Sequence, residues 1–296
     1  MNAHPSVGVI GVGAMGGGVA ASLRRNGFDT HVRDIRPEAM QEGVALGAHA
    51  HPTPAALAAQ SDILIVLVVD VGQVETVLFG AQGAVAALRP EAIVMLASTL
   101  DPDDVATLAT KLAAAGAVCV DAPVSGGPKR ATEGTMTMMI AGPADALARC
   151  EPVLAAIAGK VFRVGTVPGT AAKFKIVNNL LAAVNLAAGA EALALATAAG
   201  LDIPTVVDVI NASSGASWMF ADRMPRALAD DYAPRAAAKI LAKDVGIAAT
   251  FAARHRVGAP FAQAARAAFD HAVATGHGEE DDAIVYVCAR TKLPSR

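Results

Sequence analysis

Three glycines near the start of the chain constrain its fold more than any other feature. Gly11, Gly13 and Gly16 follow the apolar run Ser6–Ile10 and precede a helix-like segment. In this context the first glycine allows a tight turn, the second lets a phosphate approach the backbone, and the third lets helix and strand pack closely. The free N–H groups of the helix start attract phosphate. The pattern predicts a dinucleotide site, with a ligand-free glycine turn as the weaker alternative. The expected contacts are Gly11, Val12, Gly13, Ala14, Met15 and Gly16.

An acidic residue lies where it would select the cofactor. Asp34 follows the predicted strand Thr30–Arg33. A carboxylate at this position accepts hydrogen bonds from the adenosine ribose hydroxyls and repels a 2′-phosphate, so NAD is predicted over NADP. Arg33 and Arg36 flank it and would soften that repulsion. The alternative role of Asp34 is to cap the helix predicted from Pro37.

Short apolar strands alternate with helices as far as Gly165. Such alternation is typical of a parallel sheet covered by helices on both faces. Ligands of these sheets lie beyond the carboxyl ends of the strands. We therefore predict a nucleotide-binding domain over residues 1–165, with a group of residues near the nicotinamide half of the cofactor. That group is Val68, Val69, Asp70, Gln73, Ser98 and Thr99.

A proline-free segment from Gly169 to Gly200 separates the alternating strands and helices from a remainder that is predicted to be almost wholly helical. It predicts one helix roughly 45 Å long, ending at a left-handed glycine. The predicted fold is therefore α/β, with an N-terminal Rossmann domain, a long interdomain helix and an all-α C-terminal domain over residues 166–296. Lys175 and Asn179 are four residues apart and share one face of this helix. We expect this pair to carry the chemistry.

The segment Ser125-Gly126-Gly127 follows the strand predicted over 118–121. It offers one hydroxyl and unshielded backbone N–H groups, which suit a substrate carboxylate. The competing interpretation is an ordinary glycine turn.

Composition excludes several classes of protein. Apolar residues make up 54% of the chain, charged residues 17%, and the formal net charge is −3, with no basic block for nucleic acid. The longest uninterrupted apolar run, Ile63–Val69, is too short for a membrane span, and no secretory signal precedes it. The three cysteines are far apart and lack metal-ligand spacing. We expect a cytoplasmic protein with reduced thiols and no metal, membrane or nucleic-acid partner.

Four motifs occur in an order that resembles the β-hydroxyacid dehydrogenases, the 3-hydroxyisobutyrate dehydrogenase-like family. They are Gly11–Gly16, Asp121–Gly127, Gly169–Asn179 and Lys243-Asp244, and together they span nearly the whole chain. The resemblance implies the same fold as the one predicted above. It also implies an enzyme that uses NAD to oxidise the hydroxyl of a short hydroxy acid.

The resemblance also implies residue roles. Lys175 would be the catalytic lysine and Asn179 its partner, whereas Thr99 and Lys243 would contact the cofactor. Ser125, Gly126 and Gly127 would hold the substrate carboxylate. Family members usually carry glycine four residues before the lysine, where this chain has Ala171. Counting from Gly169 instead would select Lys173, but only Lys175 has an asparagine at i+4.

Three further segments resemble a branch of the family that oxidises the C2 hydroxyl of a four-carbon sugar acid with NAD. They are Val68–Val74, Ser217–Arg223 and Asp231–Arg235. The alternatives are oxidation of 3-hydroxyisobutyrate, reduction of tartronate semialdehyde, reduction of a keto acid or imine with NADPH, and NAD binding without catalysis. The alanine-rich helical half and the family both suggest a homodimer or homotetramer.

Overall fold

The computed structural model of the chain describes residues 4–290. Its internal contacts divide it into two compact units, one ending at Lys175 and the other beginning at Ile176. The division lies inside a continuous helix, ten residues after the predicted domain boundary at 165. That boundary remains a prediction.

The first unit is built on a nine-stranded sheet with the order β3-β2-β1-β4-β5-β6-β8-β7, in which β9 pairs with β8. Neighbouring strands from β3 to β6 are parallel, whereas β8 runs antiparallel to β6 and β7 and parallel to β9. The α/β prediction is confirmed. The strands are β1 (Val7–Ile10), β2 (Thr30–Arg33), β3 (His49–Ala50), β4 (Ile63–Val66), β5 (Ile93–Leu96), β6 (Val118–Asp121), β7 (Val124–Ser125), β8 (Met136–Ala141) and β9 (Ala158–Gly165).

Helices cover both faces of this sheet. The burial of both faces explains why the sequence of β4 is continuously apolar. Ile63 and Ile65 pack into the core on one face, while Leu64 and Val66 pack into the core on the other. Both faces are buried, as in other parallel sheets. The helices are α1 (Ala14–Arg25), α2 (Pro37–Ala45), α3 (Pro54–Ala58), α4 (Val71–Phe79), α5 (Pro102–Ala114), α6 (Gly127–Glu133) and α7 (Ala144–Ile157), with a 3-10 turn at Ala84–Ala87.

The long helix α8 spans Thr170–Ala198, and the chain after it turns at Gly200, whose φ is +73°. Both features were predicted. By length and composition α8 could cross a membrane. A search for uninterrupted apolar runs does not find it, because polar residues interrupt the helix. Core helices of soluble proteins pass the same test. Ala183, Leu186, Ala190 and Leu193 pack into the core of the second unit.

Among residues 176–290 the second unit contains helices and loops but no β-strand, and an isolated β-bridge joins Ala237 and Asp281. A helix begins at Trp218, where the Ser217 hydroxyl caps it by accepting a hydrogen bond from the Phe220 N–H at 3.1 Å. The helices are α9 (Ile203–Asn211), α10 (Trp218–Leu228), α11 (Ala238–Arg254), α12 (Pro260–Ala272) and α13 (Val285–Ala289), with a π-helical turn at Val273–His277 and a 3-10 turn at Asp282–Ile284.

A buried ionic cluster holds α10 to the acidic segment 276–282. The Arg223 Nε donates to Asp282 Oδ1 at 2.6 Å, and the Arg226 Nη1 donates to Asp281 Oδ1 at 2.9 Å. Asp281 also accepts the backbone N–H of Arg235 at 2.9 Å. Each buried charge therefore has a partner, as burial requires.

Candidate active site

The glycine turn after β1 has the geometry that its sequence predicts. Gly11 has a φ of +86°, and a Cβ placed on it would lie 2.4 Å from the Leu67 carbonyl oxygen. A Cβ on Gly16 would lie 1.8 Å from the carbonyl oxygen of Gly11. No side chain fits at either position, so the backbone can turn tightly from β1 into α1 only with glycine there.

Asp34 lies against this turn. Its Oδ2 accepts the Val12 N–H at 2.9 Å, and its Oδ1 accepts the backbone N–H of Arg36 at 2.9 Å and the Arg36 Nε at 3.3 Å. The residue at the N-cap of α2 is Arg36, which makes no side-chain cap bond. Asp34 therefore joins the start of α2 to the glycine turn at Gly11–Gly16, the fingerprint turn. It does more than cap α2, because it also binds the backbone of the turn that is predicted to hold the cofactor.

The start of α1 suits an anionic group. Its N-cap residue is Gly13, no side chain caps it, and its first turn carries no acidic residue. The Arg36 guanidinium lies nearby, with its Nη2 3.2 Å from the place that a Cβ of Gly13 would occupy. The positive end of the helix and this guanidinium together fit the pyrophosphate of a dinucleotide.

The carboxyl ends of β4 and β5 are joined by hydrogen bonds among the predicted cofactor residues. The Val68 N–H donates to the Ser98 hydroxyl at 3.0 Å, and the Val69 N–H donates to Gln73 Oε1 at 3.1 Å. Asp70 caps α4 by accepting the Gln73 N–H at 2.9 Å. The structure thus brings Val68, Val69 and Gln73 to one edge of the sheet, and Ser98 and Asp70 support them.

The segment Ser125-Gly126-Gly127, the predicted carboxylate cradle, lies where β7 passes into α6. Ser125 pairs with Thr137 of β8, and Gly126 and Gly127 have φ values of +126° and +73°. A Cβ on Gly127 would have no atom within 4 Å, so there is open space beside it. The sequence did not predict α6, because Gly-Gly-Pro favours a turn.

Lys175 and Asn179 are both buried on α8, with 7% of each exposed, whereas Lys173 is exposed. Lys175 closes the first unit and Asn179 lies in the second. Ala171, which replaces the usual family glycine, is fully buried against Met139 and Ala141. Alanine therefore packs without difficulty at position 171, where the departure from the family's glycine had raised Lys173 as an alternative to Lys175.

Asn179 belongs to a buried polar network in the second unit. Its Nδ2 donates to Asp244 Oδ2 at 2.7 Å, and the Lys243 Nζ donates to Asp244 Oδ1 at 2.6 Å. Asp244 is 4% exposed. We had not predicted Asp244 as a site residue, because a neighbouring Lys-Asp pair on a helix usually faces solvent. The place of Lys243-Asp244 as the last of the four ordered motifs was the signal that could have identified it.

Asp121, at the end of β6, opens the motif Asp121–Gly127, but the sequence predicted no role for it. Its Oδ2 accepts the N–H of Gly169 at 2.8 Å and that of Ala172 at 3.0 Å, so it holds the start of α8. Burial raises the pKa of Asp121 to about 6, although these N–H bonds act in the opposite direction. Within residues 4–290, no three His, Cys, Asp or Glu side chains converge as metal ligands.

Known proteins resemble the chain over its full length. Residues 6–165 match the family model of the NAD binding domain of 6-phosphogluconate dehydrogenase, and residues 169–288 match that of the NAD-binding region of NADP-dependent 3-hydroxyisobutyrate dehydrogenase. An L-threonate dehydrogenase of Cupriavidus necator is 45% identical over 98% of both chains. One of Escherichia coli is 41% identical over 97% of this chain and 96% of that protein.

Solved structures show the same architecture. A structure described as 3-hydroxyisobutyrate dehydrogenase from Salmonella typhimurium is 39% identical, with a TM-score of 0.90 over 96% of this chain and 99% of that one. Psf3 in complex with NADP+ is 27% identical, with a TM-score of 0.88 over 95% of this chain and 99% of that one.

Proposed function

Because the chain belongs to the 3-hydroxyisobutyrate dehydrogenase-like family of NAD(P)-dependent hydroxy-acid dehydrogenases, we propose that it oxidises L-threonate to 2-dehydro-L-erythronate. The observation that carries this choice of substrate is the 45% identity, over 98% of both chains, to an L-threonate dehydrogenase. The oxidised carbon is C2, next to the substrate carboxylate.

NAD is the proposed cofactor, and when bound it accepts the hydride from C2. The residues of the fingerprint turn and the start of α1 would hold its pyrophosphate. Asp34 supports NAD over NADP, because a buried carboxylate beside the turn repels a 2′-phosphate. Lys243 is proposed as a cofactor contact on the family resemblance alone.

We assign binding of the substrate carboxylate to Ser125 and to the N–H groups of Gly126 and Gly127. This orients the C2–H bond, and orientation is a large part of catalysis between bound reactants. Lys175 Nζ would take the proton of the C2 hydroxyl as the carbonyl forms, and its buried position shields the amine from bulk water.

Asn179 is proposed to orient the same hydroxyl. Its side-chain nitrogen carries two N–H bonds, of which one is donated to Asp244. A carboxylate only accepts hydrogen bonds, so Asp244 fixes which end of the amide faces it. The second N–H of Asn179 is the one that we assign to the substrate.

A panel of hydroxy acids tests the proposal. Purified protein is incubated with NAD or NADP and with L-threonate, D-threonate, 3-hydroxyisobutyrate or glycerate, and formation of the reduced cofactor is followed. We expect the highest kcat/KM for L-threonate with NAD. A preference for 3-hydroxyisobutyrate would assign the chain to the other named activity of the family. Tight NAD binding without turnover of any acid would contradict catalysis altogether.

Oxidation of 3-hydroxyisobutyrate is the second candidate. A 3-hydroxyisobutyrate dehydrogenase of Pseudomonas aeruginosa is 32% identical over 92% of this chain. A separate assay with NADH and tartronate semialdehyde tests whether the protein reduces a semialdehyde instead. The likeness to imine reductases, at 22% identity, concerns the fold alone.

We also propose a homodimer or homotetramer that works in the cytoplasm. The apolar side chains of Val177, Leu181 and Leu195 on α8 are exposed by 62%, 58% and 71%. A second copy would cover them, because exposed apolar side chains of this size are typical of an interface. These side chains would also explain why α8 is apolar enough to resemble a membrane helix.

A further inference from the structure

We propose that Asp121 is a positioning residue that fixes Lys175 relative to the carboxylate cradle of Ser125, Gly126 and Gly127. The inference rests on the proposed function of Lys175 and the cradle. Asp121 is the last residue of β6, and the cradle follows it within six residues. Its carboxylate holds the helix that carries Lys175.

Both hydrogen bonds of this connection go to one atom. Asp121 Oδ2 accepts the N–H of Gly169, which precedes α8, and the N–H of Ala172, the third residue of the helix. The first N–H groups of any helix lack partners within it. Gly169 has no side chain to supply one, so an aspartate 48 residues earlier caps the helix instead.

The start of α8 is also held from another direction. Gly169 has a φ of +96°, and a Cβ on it would lie 2.9 Å from the carbonyl oxygen of Pro102. Pro102 begins α5, three residues after Thr99, and β5 ends at Leu96. The segment that follows β5 through Thr99, and Asp121, which precedes the cradle, therefore both approach the start of α8.

A helix transmits displacement of its first turn to the residues that follow. Lys175 lies three residues beyond Ala172, or about 4.5 Å along the axis. Proton transfer requires hydrogen-bond reach, and misplacement by about 1 Å can lower a rate about a hundredfold. Loss of the Asp121 acceptor should therefore affect turnover more than cofactor binding.

The burial of Asp121 supports a role beyond capping. Asp121 is 1% exposed, and burial raises its pKa, so the carboxylate charge is held there at a cost in stability. Asp202 performs ordinary capping of α9 from an exposed position, accepting the Thr205 N–H at 3.1 Å. Asp202 is thus a matched control for helix capping without any connection to the cradle.

The test compares Asp121→Ala, Asp121→Asn and Asp202→Ala. In Asp121→Ala we expect kcat per folded protein to fall about 30- to 100-fold, with the KM for NAD changed less than about twofold. The carbonyl oxygen of Asn can accept both N–H groups, so Asp121→Asn should restore most of the turnover. Asp202→Ala should keep the wild-type kcat. A wild-type kcat in folded Asp121→Ala would overturn the proposal.

Hydrogen exchange of the amides of residues 169–175 supplies a readout that does not need the proposed substrate. Exchange should accelerate in Asp121→Ala and remain slow in Asp121→Asn; unchanged exchange in Asp121→Ala would overturn the proposal. Should Asp121→Ala not fold, Gly169→Ala displaces the same turn and should give the same two signatures. If wild-type protein oxidises no acid of the panel, the proposed function fails, and the exchange data still decide whether Asp121 holds the helix start.

Discussion

Lys175 and Lys173 lie two residues apart on one helix but in different surroundings. Lys175 is buried and has Asn179 one turn further along, whereas Lys173 is exposed to solvent. Residues two apart on a helix point in different directions, so only one of the two lysines can share a face with Asn179.

Replacing each lysine by alanine tests this assignment. Lys175→Ala should lower kcat by about 10²- to 10⁴-fold, the range expected for loss of a general acid–base group. NADH binding, measured by fluorescence titration, should stay within about threefold of wild type. Lys173→Ala is the matched control and should retain turnover. The opposite pattern would show that the catalytic register begins at Gly169.

Asp34 offers a second test at single-residue scale, because its carboxylate joins the fingerprint turn to α2. Asp34→Ala removes the acceptor of the Val12 N–H and the negative charge that we propose faces the adenosine ribose. Loss of a hydrogen bond to a charged group costs about 1.5–3 kcal/mol, so kcat/KM for NAD should fall about 10- to 100-fold.

Preference for NAD over NADP should shrink in the same Asp34→Ala variant, because the repulsion of a 2′-phosphate is removed while Arg36 remains. Asp29→Ala, on the exposed approach to β2, provides the control and should leave both cofactor constants unchanged. An undiminished NAD preference in Asp34→Ala would contradict the role assigned to this carboxylate.

At the scale of elements, α8 carries apolar side chains in two directions. Small and medium side chains such as Ala183 and Leu186 pack into the core of the second unit. Leu181 and Leu195 point to solvent in the single chain. Large exposed apolar side chains on one helix are typical of an interface, so we expect a partner to cover them.

Leu181→Glu should therefore dissociate the proposed homo-oligomer. A charge placed in an apolar interface would be desolvated without a partner, which costs several kcal/mol. Light scattering coupled to size-exclusion chromatography should show a smaller mass than for wild type. Gln263→Glu adds the same charge on the exposed surface of α12 and should leave the mass unchanged. A monomeric wild-type protein would refute the interface.

For the whole molecule, the stability of the fold should depend on pH through Asp121. Burial raises the pKa of its carboxyl to about 6, whereas an unfolded aspartate titrates near ~3.9. Between these values the folded state binds more protons than the unfolded state, so the free energy of unfolding decreases as pH rises. At about 1.4 kcal/mol per pKa unit, the loss is about 2–3 kcal/mol.

Asp121→Asn should remove that decrease, and urea unfolding at about pH 4.5 and pH 7.5 measures it as a difference from wild type. The variant should be the more stable protein at neutral pH. Asp202 provides a control of opposite sign, because its hydrogen bonds with Thr205 lower the pKa of its carboxyl. Asp202→Asn should lose stability at neutral pH relative to acid. A variant Asp121→Asn with the wild-type pH dependence would contradict the argument.

Local features of the sequence determined much of the architecture. The glycine turn, the alternation of strands and helices and the end of α8 at Gly200 each depend on neighbours within a few residues. Such features follow from backbone geometry and from the period of apolar residues, which a sequence displays directly. The same is true of the i+4 relation between Lys175 and Asn179.

Only the tertiary structure decided which distant residues support the site. Asp121 meets Gly169 across 48 residues, and Asp244 meets Asn179 across 65. Each of these carboxylates resembles an ordinary strand-end or surface aspartate in the sequence, since nothing near it reveals its partner. Its role arises when folding buries it, because a buried carboxylate requires hydrogen-bond donors and can then hold the elements that supply them.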